Sequence, residues 1–129
     1  MPTGVQHEVI IALLRARPEV AVELLRDVLG VPIPAFDRAS VVSDTVPTLD
    51  ATALHADLVI RLERGGRVAA ILVIEVQRRE DASKIFDWPF QLTYCERAYG
   101  CRAYLLVLTL DDRVARWVRS VIDGSRSTG

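Results

Sequence analysis

Two stretches of alternating apolar residues flank the sequence "ERGGR", and this alternation constrains the fold more than any other feature. In both stretches the apolar residues occupy even positions: Leu54, Ala56, Leu58, Ile60 and Leu62 before the glycines, and Val68, Ala70, Leu72, Ile74 and Val76 after them. Period-two alternation around a glycine pair predicts an antiparallel β-hairpin with one face in a core. Because one face must collect both even sets, the loop needs an odd number of residues, and we predict the three-residue loop 64–66.

The other face of this predicted hairpin is largely polar. Its odd positions include His55, Asp57, Arg61, Glu63, Glu75 and Gln77. The three-residue loop pairs Glu63 with Arg67. It therefore sets Asp57 opposite Val73 and diagonal to Glu75, with about 6–8 Å between the β-carbons of the two acids. Burying an unpaired carboxylate costs several kcal/mol, so Glu75 requires an ion pair, a metal ion or solvent at the end of the sheet.

Helical periodicity precedes the hairpin. Apolar residues recur every three or four positions between Val5 and Leu29. Pro18 suits the first turn of a second helix, and Gly30 suits its end. The segment Ala39–Val46 is short, β-branched and bounded by prolines, which predicts an edge strand.

The pattern after the hairpin predicts a helix, a strand and a final helix. Asp81 or Ser83 can cap the first of these helices and Gly100 can end it, while Pro89 predicts a kink or a restart within it. The continuous apolar run 103–110 is typical of a strand buried on both faces, and a strand–helix–strand unit predicts a right-handed parallel crossover. Asp111 then caps the last helix.

These elements predict a single α/β domain over residues 1–122, followed by a polar C-terminal tail, 123–129. Its central sheet is mixed, and the order is helix, three antiparallel strands, helix, parallel fourth strand, helix. The N-terminus has no basic region before a long apolar run, so we expect a cytoplasmic protein that does not enter a membrane. Cys95 and Cys101 form no metal-ligand spacing and are predicted to be free thiols.

The net charge of −1 excludes a general attraction to nucleic acid, so any such binding requires a local basic patch. Arg78 and Arg79 could form one, because they follow the polar end of the second hairpin strand. Arg113, Arg116 and Arg119 recur on the last helix and are interpreted as a solvated face. His7 and His55 are interpreted as surface or core-edge residues.

Three stretches carry a resemblance to a known family: "QHEVIIALLRARPEVAVELLRDVLG", "HADLVI" and "VIEVQRREDASKIFDWPFQLTYCERAYG". They resemble the recombination-promoting nuclease-like proteins, a family of PD-(D/E)XK transposases. The superfamily motif alone is short and degenerate, but the combination of "ADLVI", "EVQ" and "D-x-x-K…WP" is more specific. The resemblance implies a restriction-endonuclease-like core.

The resemblance also implies a metal site. Asp57 and Glu75 look like its carboxylate ligands, and the backbone carbonyl of Val76 would be a third ligand, for Mg²⁺ or Mn²⁺. Glu8 resembles the accessory acid that some superfamily members add to this site. Gln77 stands where the motif has its lysine; it can orient water or a phosphate oxygen, but it cannot neutralise developing negative charge. Lys84, the only lysine of the chain, could supply that charge from the next helix.

The function implied is that of a metal-dependent DNA endonuclease, recombination- or transposase-associated, that hydrolyses phosphodiester bonds. DNA is then the expected partner, and a homodimer is compatible with this function. The alternative is a nuclease-fold protein without turnover that binds nucleic acid or another protein. The slightly negative charge and the missing motif lysine favour this alternative.

Overall fold

The structure is a computed structural model that describes residues 3–42 and 56–127 of the chain. One mixed sheet lies at its centre, with the strand order β1-β2-β3-β4. The strands are β1 (Arg38–Val41), β2 (Leu58–Arg64), β3 (Arg67–Val76) and β4 (Arg102–Leu108). The first three are antiparallel and β4 is parallel to β3, which confirms the predicted mixed α/β architecture.

In the described part of the chain, four helices accompany the sheet. They are α1 (Thr3–Ala16), α2 (Glu19–Glu23), α3 (Lys84–Tyr99) and α4 (Asp112–Ser127), and α2 continues as a π-helical segment, Leu24–Val28. Gly30 and Gly100 adopt positive φ angles of 70° and 66° where helices end, as predicted. Asp111 caps α4, because its Oδ1 accepts hydrogen bonds from the backbone N–H groups of Arg113 and Val114. Helix α3 runs continuously through Pro89, without a restart.

The turn of the β2–β3 hairpin differs from the prediction. Arg64 pairs with Arg67, so the turn has two residues, Gly65 and Gly66, with φ angles of 59° and 79°. A bulge between Leu62 and Glu63 then shifts the register. The predicted three-residue loop is wrong because a two-residue turn with one bulge also keeps even positions opposite even positions.

The corrected register changes the neighbours of the acids. Leu58 lies opposite Ile74 and Val59 lies opposite Val73. Continued by one residue, this register sets Asp57 opposite Glu75, not opposite Val73. The two acids are therefore direct cross-strand neighbours, whereas the predicted register made them diagonal neighbours.

Both faces of the sheet are covered. The even face of β2 and β3 packs against α1, α2 and the π-helical segment, with Leu14, Val22, Leu25, Ile60, Leu62 and Leu72 at its centre. The odd face buries Ile71 and Val73 beneath Cys95 of α3. Helix α4 packs against α3 through Trp88, Val114 and Val118, and the rings of Trp88 and Trp117 are 6.1 Å apart.

Several boundaries differ from the predicted ones. Strand β4 is also not fully buried as predicted: it is at the edge of the sheet, and most of its residues are half-buried because only one neighbouring strand covers them. Helix α4 continues to Ser127, beyond the expected start of a polar tail at residue 123. Strand β1 is Arg38–Val41 and ends before Val42, which the prediction included; the rest of the predicted strand, 43–46, and His55 lie outside the described residues.

Both cysteines are free, as predicted, and Cys95 is buried. Among the residues that the structure describes, each helix is too short or too polar to cross a membrane.

Candidate functional site

A cleft of about 550 Å³ opens where β3 leaves the sheet. At this point the backbone N–H of Gln77 donates to the carbonyl of Leu108 at 2.8 Å, which extends the pairing with β4 by one step. The cleft is lined by His7 of α1, Asp57 ahead of β2, residues 75–79, Asp81 and Lys84. Elements distant in sequence thus bring the predicted acids, the predicted cations and one histidine together.

Asp57 is held in the cleft by the backbone of the neighbouring strand. Its Oδ2 accepts a hydrogen bond of 2.7 Å from the backbone N–H of Val76. The same oxygen lies 3.3 Å from Nε2 of His7. Because a charge-assisted bond to a backbone donor fixes the carboxylate, Asp57 presents its second oxygen, Oδ1, in a constrained orientation.

Glu75 is the most deeply buried acid of the cleft, with 4% of its side chain exposed. Among the residues that the structure describes, its Oε1 has no hydrogen-bond partner, although Nζ of Lys84 lies 3.8 Å away. The pKa of Glu75 is raised to about 7, chiefly because burial disfavours the ionised carboxylate. The charge of Asp57 also raises this pKa, whereas the charge of Lys84 and a hydrogen bond from the Gln91 amide lower it. A carboxylate that is costly to ionise therefore stands beside another acid, with one cation close by.

Lys84 is directed into the cleft by the turn that precedes α3. In this turn Asp81 Oδ1 accepts hydrogen bonds from the backbone N–H and the hydroxyl of Ser83, at 3.1 and 2.7 Å. These bonds lower the pKa of Asp81. Only 17% of the Lys84 side chain is exposed, so its charge acts within the cleft.

Gln77, Arg78 and Arg79 form the remaining part of the cleft wall. The Gln77 side chain is buried, and its Nε2 donates to the carbonyl of Arg79 at 2.9 Å. This bond shapes the backbone on which Arg78 and Arg79 stand, both exposed at the rim. The lining carries three cations, Arg78, Arg79 and Lys84, against three acids, Asp57, Glu75 and Asp81, so its formal charges balance at zero without His7.

The cleft is lined by His7 and not by Glu8, although the sequence predicted Glu8 as the accessory acid of the metal site and His7 as a surface or core-edge residue. Glu8 is outside the lining of the cleft, with 81% of its side chain exposed. His7 belongs to the face of α1 that packs inward, together with Ile10, Ile11 and Leu14. Helical spacing carried this signal, because His7 is three, four and seven residues from those apolar positions.

The oxygen donors of the cleft fit a hard divalent cation. Within residues 3–42 and 56–127, no cluster of three or more histidine, cysteine, aspartate or glutamate side chains could hold a metal ion. The donors are instead two carboxylates, from Asp57 and Glu75, and Val76, whose carbonyl is the third predicted ligand, lines the same cleft. Mg²⁺ binds through one or two carboxylates while keeping several waters. The unpartnered, buried Oε1 of Glu75 is the kind of oxygen that such an ion satisfies.

Comparisons of the chain with models of protein families, with curated proteins and with solved structures found no match. The residues of the cleft are therefore the basis for any functional conclusion.

Proposed function

We propose that this chain is a metal-dependent endonuclease that hydrolyses phosphodiester bonds in DNA. One observation carries the proposal: Glu75 is buried at the end of β3 with an unpartnered carboxylate oxygen, beside Asp57 and within 3.8 Å of Lys84. A buried carboxylate without a hydrogen bond to each oxygen is destabilising even beside a cation, and buried carboxylates with raised pKa values cluster at functional sites. The resemblance to PD-(D/E)XK proteins supports the same chemistry.

In this proposal Asp57, Glu75 and the Val76 carbonyl hold Mg²⁺ or Mn²⁺. When bound, such an ion supplies Lewis-acid stabilisation of the phosphate and lowers the pKa of a bound water. The backbone N–H of Val76 keeps Asp57 oriented, because it donates to Oδ2 and leaves Oδ1 available. Glu75 is ionised only above about pH 7 in the metal-free protein, so cation binding and proton release are coupled.

Lys84 takes over the electrostatic role that the superfamily motif gives to a lysine at the position of Gln77. Its ammonium group is mostly shielded from water and lies on the wall that carries Glu75. A charge placed in a partly desolvated cleft stabilises developing negative charge more strongly than one in bulk water. Gln77 contributes by positioning, since its Nε2 holds the Arg79 carbonyl.

Arg78 and Arg79 contact the phosphates that flank the reacting bond. Both are exposed at the rim, where guanidinium groups can reach a DNA backbone. A divalent cation would turn the formally balanced lining into a net positive one, which favours a polyanionic substrate. The proposal includes a cytoplasmic location, where DNA is accessible and free thiols stay reduced.

A second function is favoured by a specific observation. The amide nitrogen of Gln77 is bonded within the chain, and Lys84 already neighbours the Glu75 carboxylate. A cleft whose charges are internally balanced suits a nuclease-fold module that binds nucleic acid or protein without turnover.

Calorimetric titration of Mg²⁺ and Mn²⁺, paired with plasmid nicking on the same samples, tests the proposal. We expect the wild type to bind the metal and nick the plasmid, and Glu75→Gln to lose both. Glu80→Gln is the matched control, because Glu80 is exposed and outside the lining of the cleft. Metal binding without nicking would favour the binding module, and no binding at millimolar metal would overturn the metal site.

A further inference from the structure

Helix α1 carries an exposed apolar stripe on the side that faces away from the sheet. Val5, Val9 and Leu13 have 60%, 51% and 65% of their surface exposed. Ala12 and Ala16 are exposed as well and share this side, because about 3.6 residues make one helical turn. The stripe, Val5, Val9, Ala12, Leu13 and Ala16, contains no polar side chain over the length of the helix.

The opposite side of the same helix is already occupied. Leu14 is buried in the core, with Ile10 and Ile11 packed around it, and His7 faces the cleft. A surface helix normally has one apolar side and one polar side, whereas a helix that is apolar on two opposite sides is covered on both. The stripe therefore requires an occupant.

We propose that the occupant is a second copy of this chain, paired through α1 in an antiparallel two-fold arrangement. The charges that flank the stripe are self-complementary. Glu8 and Arg15 lie on one edge of it, seven residues or about two turns apart. A two-fold axis perpendicular to the helices places the first half of one helix beside the second half of the other. It also brings the same edge of both stripes to the same side of the interface. Glu8 of each copy then meets Arg15 of the other.

A parallel pair lacks this complementarity. A two-fold axis along the helices sets each edge of the stripe against the opposite edge of the other copy. The opposite edge carries Gln6 and Arg17, so Arg15 would approach Arg17 of the second copy, and like charges repel. Charged residues at the borders of a helix–helix interface set its orientation, so α1 selects the antiparallel pair.

The side chains of the stripe also match by size in the antiparallel pair. An axis between Ile10 and Ile11 sets Val5 opposite Ala16 and Val9 opposite Ala12 of the second copy. In this register Glu8 and Arg15 are offset by two residues, about 3 Å, which the long arginine side chain spans. Large residues facing small ones allow two helices to interdigitate closely. His7 is on the far side of the helix, so this pairing leaves the cleft open to a substrate. The pairing does not depend on the proposed endonuclease function.

Sedimentation velocity of the whole chain over a range of concentrations tests the pairing. A single 14-residue helix offers a small interface, so we expect a reversible dimer whose mass rises from 14.3 kDa towards twice that value with concentration. We expect Val9→Glu to weaken dimerisation by at least about tenfold. Phe86→Glu is the matched control, because Phe86 is a similarly exposed apolar residue on α3, and it should dimerise like the wild type.

Charge reversal distinguishes the antiparallel α1 pair from other contacts. Glu8→Arg and Arg15→Glu should each weaken the dimer, and the double variant should restore it. Because these positions are exposed, we expect every variant to fold. Circular dichroism checks that the helices are retained. A chain that stays monomeric at all concentrations overturns the proposal. So does a double variant that remains monomeric, or a monomer that binds vesicles of phosphatidylcholine and phosphatidylglycerol through the stripe.

Discussion

The ammonium nitrogen of Lys84 lies 3.8 Å from Oε1 of Glu75, in a cleft where both side chains are largely shielded from water. The two residues come from the first position of α3 and the penultimate position of β3. This ion pair places the chain's only lysine beside the acid expected to bind a metal. On the proposed function, Lys84 and a metal ion would compete for this carboxylate in the resting protein and would act together on a bound phosphate.

Removing the charge of Glu75 should make the stability of the protein less sensitive to pH. The pKa of Glu75 is raised from 4.5 to about 7 by burial, so between these values the folded state holds a proton that the unfolded state has lost. Stability is thus lost as the pH rises through this window, by up to about 3 kcal/mol for this group. In urea denaturation with a chelator present, Glu75→Gln should be more stable than the wild type at pH 8 and similar to it near pH 4.5. An equal difference at both pH values would contradict a raised pKa, and Glu80→Gln serves as the control.

Lys84→Met should separate metal binding from catalysis. Removing the competing cation should strengthen Mg²⁺ binding about three- to tenfold, because a partly shielded ion pair is worth on the order of 1 kcal/mol. Nicking should fall about 100-fold, since the developing charge on the phosphate loses its neutralising group. Calorimetry and the nicking assay measure the two effects, with Arg102→Met, which removes an exposed cation outside the cleft, as the control. Weaker metal binding together with unchanged nicking would assign Lys84 a structural role only.

Asp57→Asn should abolish metal binding while the fold is retained. The amide oxygen of asparagine can still accept the hydrogen bond from the Val76 N–H, but the negative charge is lost. The same change should bring the pKa of Glu75 down, because Asp57 helps to raise it. Calorimetry follows the metal, and the pH dependence of urea denaturation follows Glu75. If the Asp57→Asn variant binds Mg²⁺ like the wild type, Asp57 is not a ligand.

Replacing a glycine of the hairpin turn by alanine should destabilise the protein, whereas replacing the glycine of α4 should stabilise it. Gly66 has a φ of 79°, where a Cβ atom is strained, so Gly66→Ala should cost about 1–2 kcal/mol of unfolding free energy. Gly124 is in a helix without a positive φ, and Gly124→Ala should stabilise the protein by about 0.5 kcal/mol. Thermal and urea denaturation measure both variants. A neutral Gly66→Ala would show that the turn can relax to another form.

Local signals in the sequence determined most elements of the fold. The shared parity of two apolar sets predicted the hairpin and its core face, because side chains alternate strictly along a strand. Gly30, Gly100 and Asp111 marked helix ends correctly, since positive φ angles and side-chain caps are properties of a few neighbouring residues. Parity also placed Asp57 and Glu75 on one side of the hairpin, whereas their assignment to a site with Lys84 came from the family resemblance and not from local signals.

Only the tertiary structure decided how these residues meet. Parity is preserved equally by a three-residue loop and by a two-residue turn with a bulge, so alternation by itself could not set Asp57 opposite Glu75. The packing of α1 against the sheet, a contact between segments distant in the chain, turned His7 towards Asp57 and left Glu8 exposed. Local patterns fix which side of an element is apolar, whereas the neighbours that cover that side are chosen by the packing of the whole domain.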